Sequence, residues 1–220
     1  MHIRTVSPEY NEDGFAMVSL NPAGYALCQE YARKRGSNTK NGTTWNDGIL
    51  NLRDPKHPRA TEFCGLAGEF AFSKITGIPL DLNYYAGGDE QDFIIFDQTH
   101  TNAKCASTIF SFRKAQLKAT NEWGNLLPLE QDLYVFGGIF EDRGETATVW
   151  FTGAATKKMV LRYPMVPSRL GTRWDNYEIP FEELIPMKQF LEVYQAGEAA
   201  FREMLAGYDS KECGTEGPKP

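Results

Sequence analysis

From Thr61 to Gly77 the chain reads TEFCGLAGEFAFSKITG, which places Phe63, Leu66, Ala67, Phe70 and Ala71 on one face of a helix. Thr61 is suited to cap its start and Gly77 to stop it. Gly65 and Gly68 lie inside that helix, although each costs about 1 kcal/mol relative to alanine. Glycines at that cost predict that the helix packs closely against something flat, and a sheet is the natural candidate.

The residues after this helix supply the strands. DFIIF and HTNAKCAS read as a hairpin, and QDLYVFGGIF and TATVWFTGAA as two further strands separated by the turn EDRGE. A closing helix is expected near IPMKQFLEVYQAGEAAFREML. Upstream, PAGYALCQEYARKR predicts a helix ending at Gly36, followed by a long polar loop through GSNTKNGTTWNDG and NLRDPKHPRA. The expected fold is α/β, with a central mixed sheet of four to five strands flanked by helices. Residues 1–60 would form a helical and loop lobe for substrate recognition or closure, 61–206 the α/β core, and 207–220 a flexible tail.

With 220 residues, 41% of them hydrophobic, the chain can bury a core of its own. A net charge of −6 excludes a polycation, so any anionic partner must meet a local basic patch. Four widely spaced cysteines without a C-x-x-C pair suggest neither a zinc cage nor a disulfide framework. Reduced thiols in a cytoplasm are the simplest reading. No apolar leader opens the chain and no run of 18 apolar residues occurs, so neither export nor membrane insertion is expected.

The hairpin GDEQDFIIFDQTHTNAKCAS carries unusual polar residues for strands so apolar. Residues two apart in a strand face the same side, so Asn102 and Lys104 point together and Ala103 points the other way. Antiparallel pairing across the turn brings the strand that begins at Asp92 alongside them.

An acid at a strand start, then an acid-x-Lys element in the next strand, resembles the PD-(D/E)XK nuclease superfamily; here the last element reads Asn102-Ala103-Lys104. The resemblance extends back to GLAGEFAF, which looks like the helix that gives such nucleases a further carboxylate, at Glu69. It extends forward through the later strands and YEIPFEELIPMKQF, as in phage and bacterial members, and so covers residues 61–190. It implies a restriction-endonuclease-like core and a Mg²⁺-dependent hydrolase of phosphodiester bonds, most readily in DNA, with Mn²⁺ as a substitute metal. It also implies Asp92 and Glu69 as metal ligands, the Ala103 carbonyl as another, and Lys104 beside the attacking water. Asn102 departs from the pattern, offering one neutral oxygen where the family has a carboxylate, so metal binding should weaken. Asp89 is placed to compensate, and Glu62 and Glu90 are rival ligands. The alternative is a nuclease fold that binds nucleic acid or a protein without turnover.

Three basic islands are suited to a phosphate-tracking groove in an otherwise acidic chain: Arg33, Lys34, Arg35 and Lys40; Arg53, Lys56, His57 and Arg59; and Arg113, Lys114 and Lys118. Gln116 lies within the last. Downstream, Arg162, Arg169, Arg173, Trp174 and Tyr177 combine cations with rings that can stack on bases, or can equally cover a sheet edge. Enzymes that cut both strands of a duplex are often dimers, which leaves a homodimer open.

Overall fold

The computed structural model describes residues 5–37, 60–80, 82, 92–96, 99–105, 114–121, 123–168 and 173–211; at positions 33, 35–37, 60–62, 100, 102, 104 and 105 it describes the backbone only. In chain order the elements are β1 (Glu9–Tyr10), β2 (Ala16–Leu20), α1 (Pro22–Ser37), α2 (Ala60–Thr76), β3 (Phe93–Ile95), β4 (Thr99–Cys105) and β5 (Lys114–Lys118). Beyond these lie β6 (Leu133–Asp142), β7 (Ala147–Thr156), α3 (Lys157–Val160), β8 (Met165–Pro167), β9 (Asp175–Pro180), α4 (Met187–Ala196) and α5 (Glu198–Ser210).

Among the described residues the strands form two sheets. One has six strands in the order β1-β2-β7-β6-β4-β3, and the other has three in the order β5-β9-β8. Within the larger sheet β4 runs parallel to β6 and all other neighbours are antiparallel, so the sheet is mixed as expected. Parallel neighbours need a long crossover, and the chain makes one by leaving through β5, in the other sheet, before returning as β6.

The larger sheet exceeds the four to five strands expected, because β1 and β2 join it from the first 60 residues. AMVSL in β2 alternates between buried and more exposed positions, and it pairs with β7 from Ala16 opposite Phe151 to Leu20 opposite Ala147. The segment expected to stand apart as a lobe therefore places a strand second from the sheet edge. The smaller sheet is also an addition to the expected architecture.

α2 lies against β4 and also meets β2, β6 and β7. Phe72 joins the layers, its ring centroid 4.9 Å from Phe93 on β3, 6.1 Å from Phe151 on β7 and 6.1 Å from Phe190 on α4. Gly77 stops the helix as expected: it has φ of +78° and donates its amide to the Ser73 carbonyl at 2.9 Å. The start differs, since Ala60 is already helical and Thr61 lies inside the first turn. The close approach assigned to Gly65 is absent, for a Cβ built there meets nothing within 4 Å. Tight packing occurs instead at Gly24 on α1, where a Cβ would come within 2.8 Å of the Phe70 ring.

The single closing helix is in fact two, α4 and α5, divided at Gly197 with φ of +111°. The tail also begins later than residue 207. α5 runs to Ser210, and the Arg162 guanidinium donates to the carbonyls of Tyr208 and Asp209 at its last turn. Among the described residues no helix is long and apolar enough to cross a membrane.

Candidate functional site

The β3–β4 hairpin forms as the sequence predicts, with Phe93 opposite Thr101 and Ile95 opposite Thr99. Phe93 and Ile95 are buried on one face, whereas Ile94 between them is 42% exposed. The corner residue Phe96 has φ of +52°, a conformation rarely adopted without glycine. Its ring is held 5.2 Å from Tyr194 and 5.6 Å from Phe201, so packing against α4 and α5 fixes the corner.

Asp92 stands at the open end of this hairpin, half-buried. Its amide donates to the Thr101 carbonyl at 3.2 Å, which continues the ladder by one step and sets Asp92 opposite position 102. Its carboxylate Oδ2 accepts the Ala103 amide at 2.8 Å. The side chain therefore turns along the edge of β4 and is fixed beside the Ala103 peptide. On the other side of β4, positions 102, 103 and 104 pair with Tyr134, Val135 and Phe136 of β6. The side chains of Asn102 and Lys104 lie outside the described residues, as do Asp89 and Glu90 and the side chain of Glu62.

Glu69 is 6% exposed, unusual for a glutamate in the middle of a helix. It sits on the helix that crosses β4, and its charge is felt by Cys28 of α1. Burial pushes the Cys28 thiol up to about 12, and the Glu69 carboxylate adds to the rise. The thiol points its sulfur at the Leu66 carbonyl, 3.7 Å away.

Among the described residues no group of three or more His, Cys, Asp and Glu side chains is placed to hold a metal ion. A cation at this hairpin would therefore need the Ala103 carbonyl and Asn102 in addition to acids. The donors that the resemblance implies, the Asp92 and Glu69 carboxylates with the Ala103 and Asn102 carbonyls, are all oxygens, the kind that Mg²⁺ or Mn²⁺ would take; the Asn102 side chain lies outside the described residues.

The described residues among those expected to touch nucleic acid lie on different elements. Lys114 and Gln116 lie on β5, facing Glu178 of β9. Lys34 is exposed but pairs with Glu30 one turn earlier at 2.6 Å and sits 4.4 Å over the Tyr31 ring. Arg173 is exposed. Arg113, Arg169, Lys40 and the island at Arg53, Lys56, His57 and Arg59 lie outside the described residues, as do the side chains of Arg33 and Arg35. Tyr177 is not available for stacking, being 6% exposed in the core, and Arg162 is engaged with α5. Trp174 does carry a cation, with the Lys118 ammonium 4.3 Å from its ring centroid. Glu178 is a partner of Lys114 and Gln116 that the sequence does not announce, since a lone glutamate in DNYEIP carries no signal of what it meets.

Together these elements define a mixed α/β protein in which one hairpin edge gathers polar groups. No family model, no curated protein and no solved structure matches the chain.

Proposed function

We propose that the chain is a metal-dependent nuclease of the PD-(D/E)XK kind, hydrolysing phosphodiester bonds, with DNA as the favoured substrate. The observation that carries this reading is the Asp92 carboxylate held on the Ala103 amide across the hairpin from position 102. The buried Glu69 on the helix crossing the same strand supports it.

In this reading Asp92, Glu69, the Ala103 carbonyl and the Asn102 carboxamide would hold a Mg²⁺ ion, which would supply polarisation of the phosphate and stabilisation of charge on the leaving oxygen. The Asp92–Ala103 hydrogen bond orients the carboxylate before anything binds, so that geometry need not be assembled during the reaction. Lys104 orients the attacking water and offsets negative charge as it develops. Lys114, Gln116 and Arg173 contact the nucleic acid.

Asn102 favours a second reading, in which the fold binds nucleic acid or a protein partner without turnover, because the neutral amide removes a negative charge from the metal site. Cleavage of single- and double-stranded DNA and RNA with Mg²⁺ or Mn²⁺ separates the two. The nuclease reading expects Asn102→Asp to cut faster than the parent chain and Lys104→Ala not to cut. Retention of nucleic acid with no cleavage by any of the three proteins moves the function to binding alone.

A further inference from the structure

Among the described residues Phe96 alone has a positive φ without being glycine, at +52°. A left-handed conformation is costly for a residue with a Cβ, and it persists where the surrounding contacts over-determine it. Here the contacts come from two helices at once. The Phe96 ring lies 5.2 Å from Tyr194 near the end of α4 and 5.6 Å from Phe201 in the first turn of α5, and those two rings are 6.3 Å apart. Between them the chain turns at Gly197, whose amide donates to the Tyr194 carbonyl at 3.2 Å. Phe96 is thus wedged into the joint of the helix pair, and Phe201 behind it is fully buried, 5.2 Å from Phe190.

The wedge holds a strand with little else to fix it. β3 has three residues, stands last in the larger sheet, and pairs there with β4 alone. One end of it meets Asp92, whose carboxylate takes the Ala103 amide, and the other end meets Phe96. A short edge strand frays readily, and a slip of one residue turns every side chain to the opposite face. A ring seated between α4 and α5 fixes the far end, so Asp92 stays level with Ala103. Glycine would accept φ of +52° without strain, yet it has no ring to place in the joint.

We infer that Phe96 is a positioning residue: from its seat in the α4–α5 joint it holds the register of β3, and with it the Asp92 carboxylate on the Ala103 amide. The consequence for a metal ion at Asp92 rests on the proposed nuclease function; the consequence for register does not.

The test follows the Ala103 amide by hydrogen-exchange NMR and titrates each protein calorimetrically with Mn²⁺. The amide of Val149, fully buried on β7 between β2 and β6, serves as the gauge of global stability. Phe96→Gly suits the backbone and removes the ring. Ala103 exchange should rise about tenfold, the size expected from losing aromatic contacts, with Val149 changed far less and Mn²⁺ affinity lowered about tenfold. Phe96→Tyr keeps the ring and should behave as the unmodified chain. Tyr194→Ala withdraws the helix side of the same contact with the hairpin sequence intact. It should speed Ala103 selectively too, adding little when combined with Phe96→Gly, and it decides the matter alone if Phe96→Gly fails to fold. If Ala103 exchange is unchanged, or rises only in step with Val149, Phe96 serves only the fold and the inference is overturned. If instead Ala103 speeds up selectively while Mn²⁺ binding is absent from the unmodified chain or unaltered in Phe96→Gly, the register role stands and the metal reading of Asp92 falls.

Discussion

The Ala103 amide donates to the Asp92 carboxylate at 2.8 Å, tying the first residue before β3 to the middle of β4. A charged acceptor on a backbone amide contributes about 1.5–3 kcal/mol when the pair is shielded from water, and less at a half-buried position such as this one. Asp92→Ala should therefore lower stability by about 1 kcal/mol, whereas Asp92→Asn, which keeps an oxygen for the amide, should lower it by less. If Asp92 is also a metal ligand, the asparagine variant loses Mn²⁺ binding despite its near-normal stability. Urea unfolding and calorimetric Mn²⁺ titration of both variants check the two halves separately.

Two glycines make opposite predictions. A Cβ at Gly65 meets nothing within 4 Å, so Gly65→Ala should stabilise α2 by about 0.5–1 kcal/mol through helix propensity and a less flexible unfolded chain. A Cβ at Gly24 would press to 2.8 Å from the ring of Phe70, itself buried, so Gly24→Ala should destabilise by about 1–3 kcal/mol. Thermal unfolding of the two variants side by side should move Tm in opposite directions.

Alkaline pH should weaken the fold through two buried acids. The Cys28 thiol is pushed up from 9.0 to about 12, by burial and then by Glu69. The Tyr25 phenol is likewise raised, by burial and then by its hydrogen bond to Asp142 at 2.8 Å. In the unfolded chain the thiol ionises at its ordinary value, so below pH 9 its contribution is fully present. It is lost as pH rises from 9 toward 12, where only the unfolded state has released the proton. Unfolding free energy measured at pH 8 and pH 10.5 should fall more for the unmodified chain than for Cys28→Ala.

Glu69→Gln should lower the Cys28 thiol toward its ordinary value without reaching it, because burial is the larger cause. Alkylation of Cys28 at pH 9, followed by peptide mass spectrometry, should then be faster in the variant. An unchanged rate would mean that Glu69 does not face α1.

Phe72 contacts Phe93, Phe151 and Phe190 from a fully buried position. Phe72→Ala should cost about 3–5 kcal/mol, enough to unfold a marginal domain, and Phe72→Leu distinctly less. Denaturant midpoints give the comparison.

The parts legible in the sequence were those whose signals are local. The Gly77 stop and the apolar face of α2 follow from a helical period and one residue's backbone freedom, and the β3–β4 hairpin from two apolar runs around a polar turn. The sequence places the strand that begins at Asp92 beside the strand of Asn102 and Lys104, because hairpin register follows from spacing, but it does not foretell that the Asp92 carboxylate takes the Ala103 amide. The second sheet was not legible: β8 has three residues, and Gln116 finds Glu178 62 positions away, a pairing decided by tertiary packing. β2 was missed for a related reason, since its alternation is short and its partner β7 comes from the far half of the chain. Gly65 misled because a glycine inside a helix signals close packing only where a neighbour is present.

The position of β2 has a kinetic consequence. Its neighbour β7 is completed only at Thr156, so a chain emerging from the ribosome carries β2 with one edge unpaired through most of its synthesis. Closing that pairing means bringing together ends more than a hundred residues apart, which places the β2–β7 zipper late and slow in folding. Until then the apolar residues Ala16, Val18 and Leu20 are open to any strand that arrives first, including the same strand of a neighbouring nascent chain.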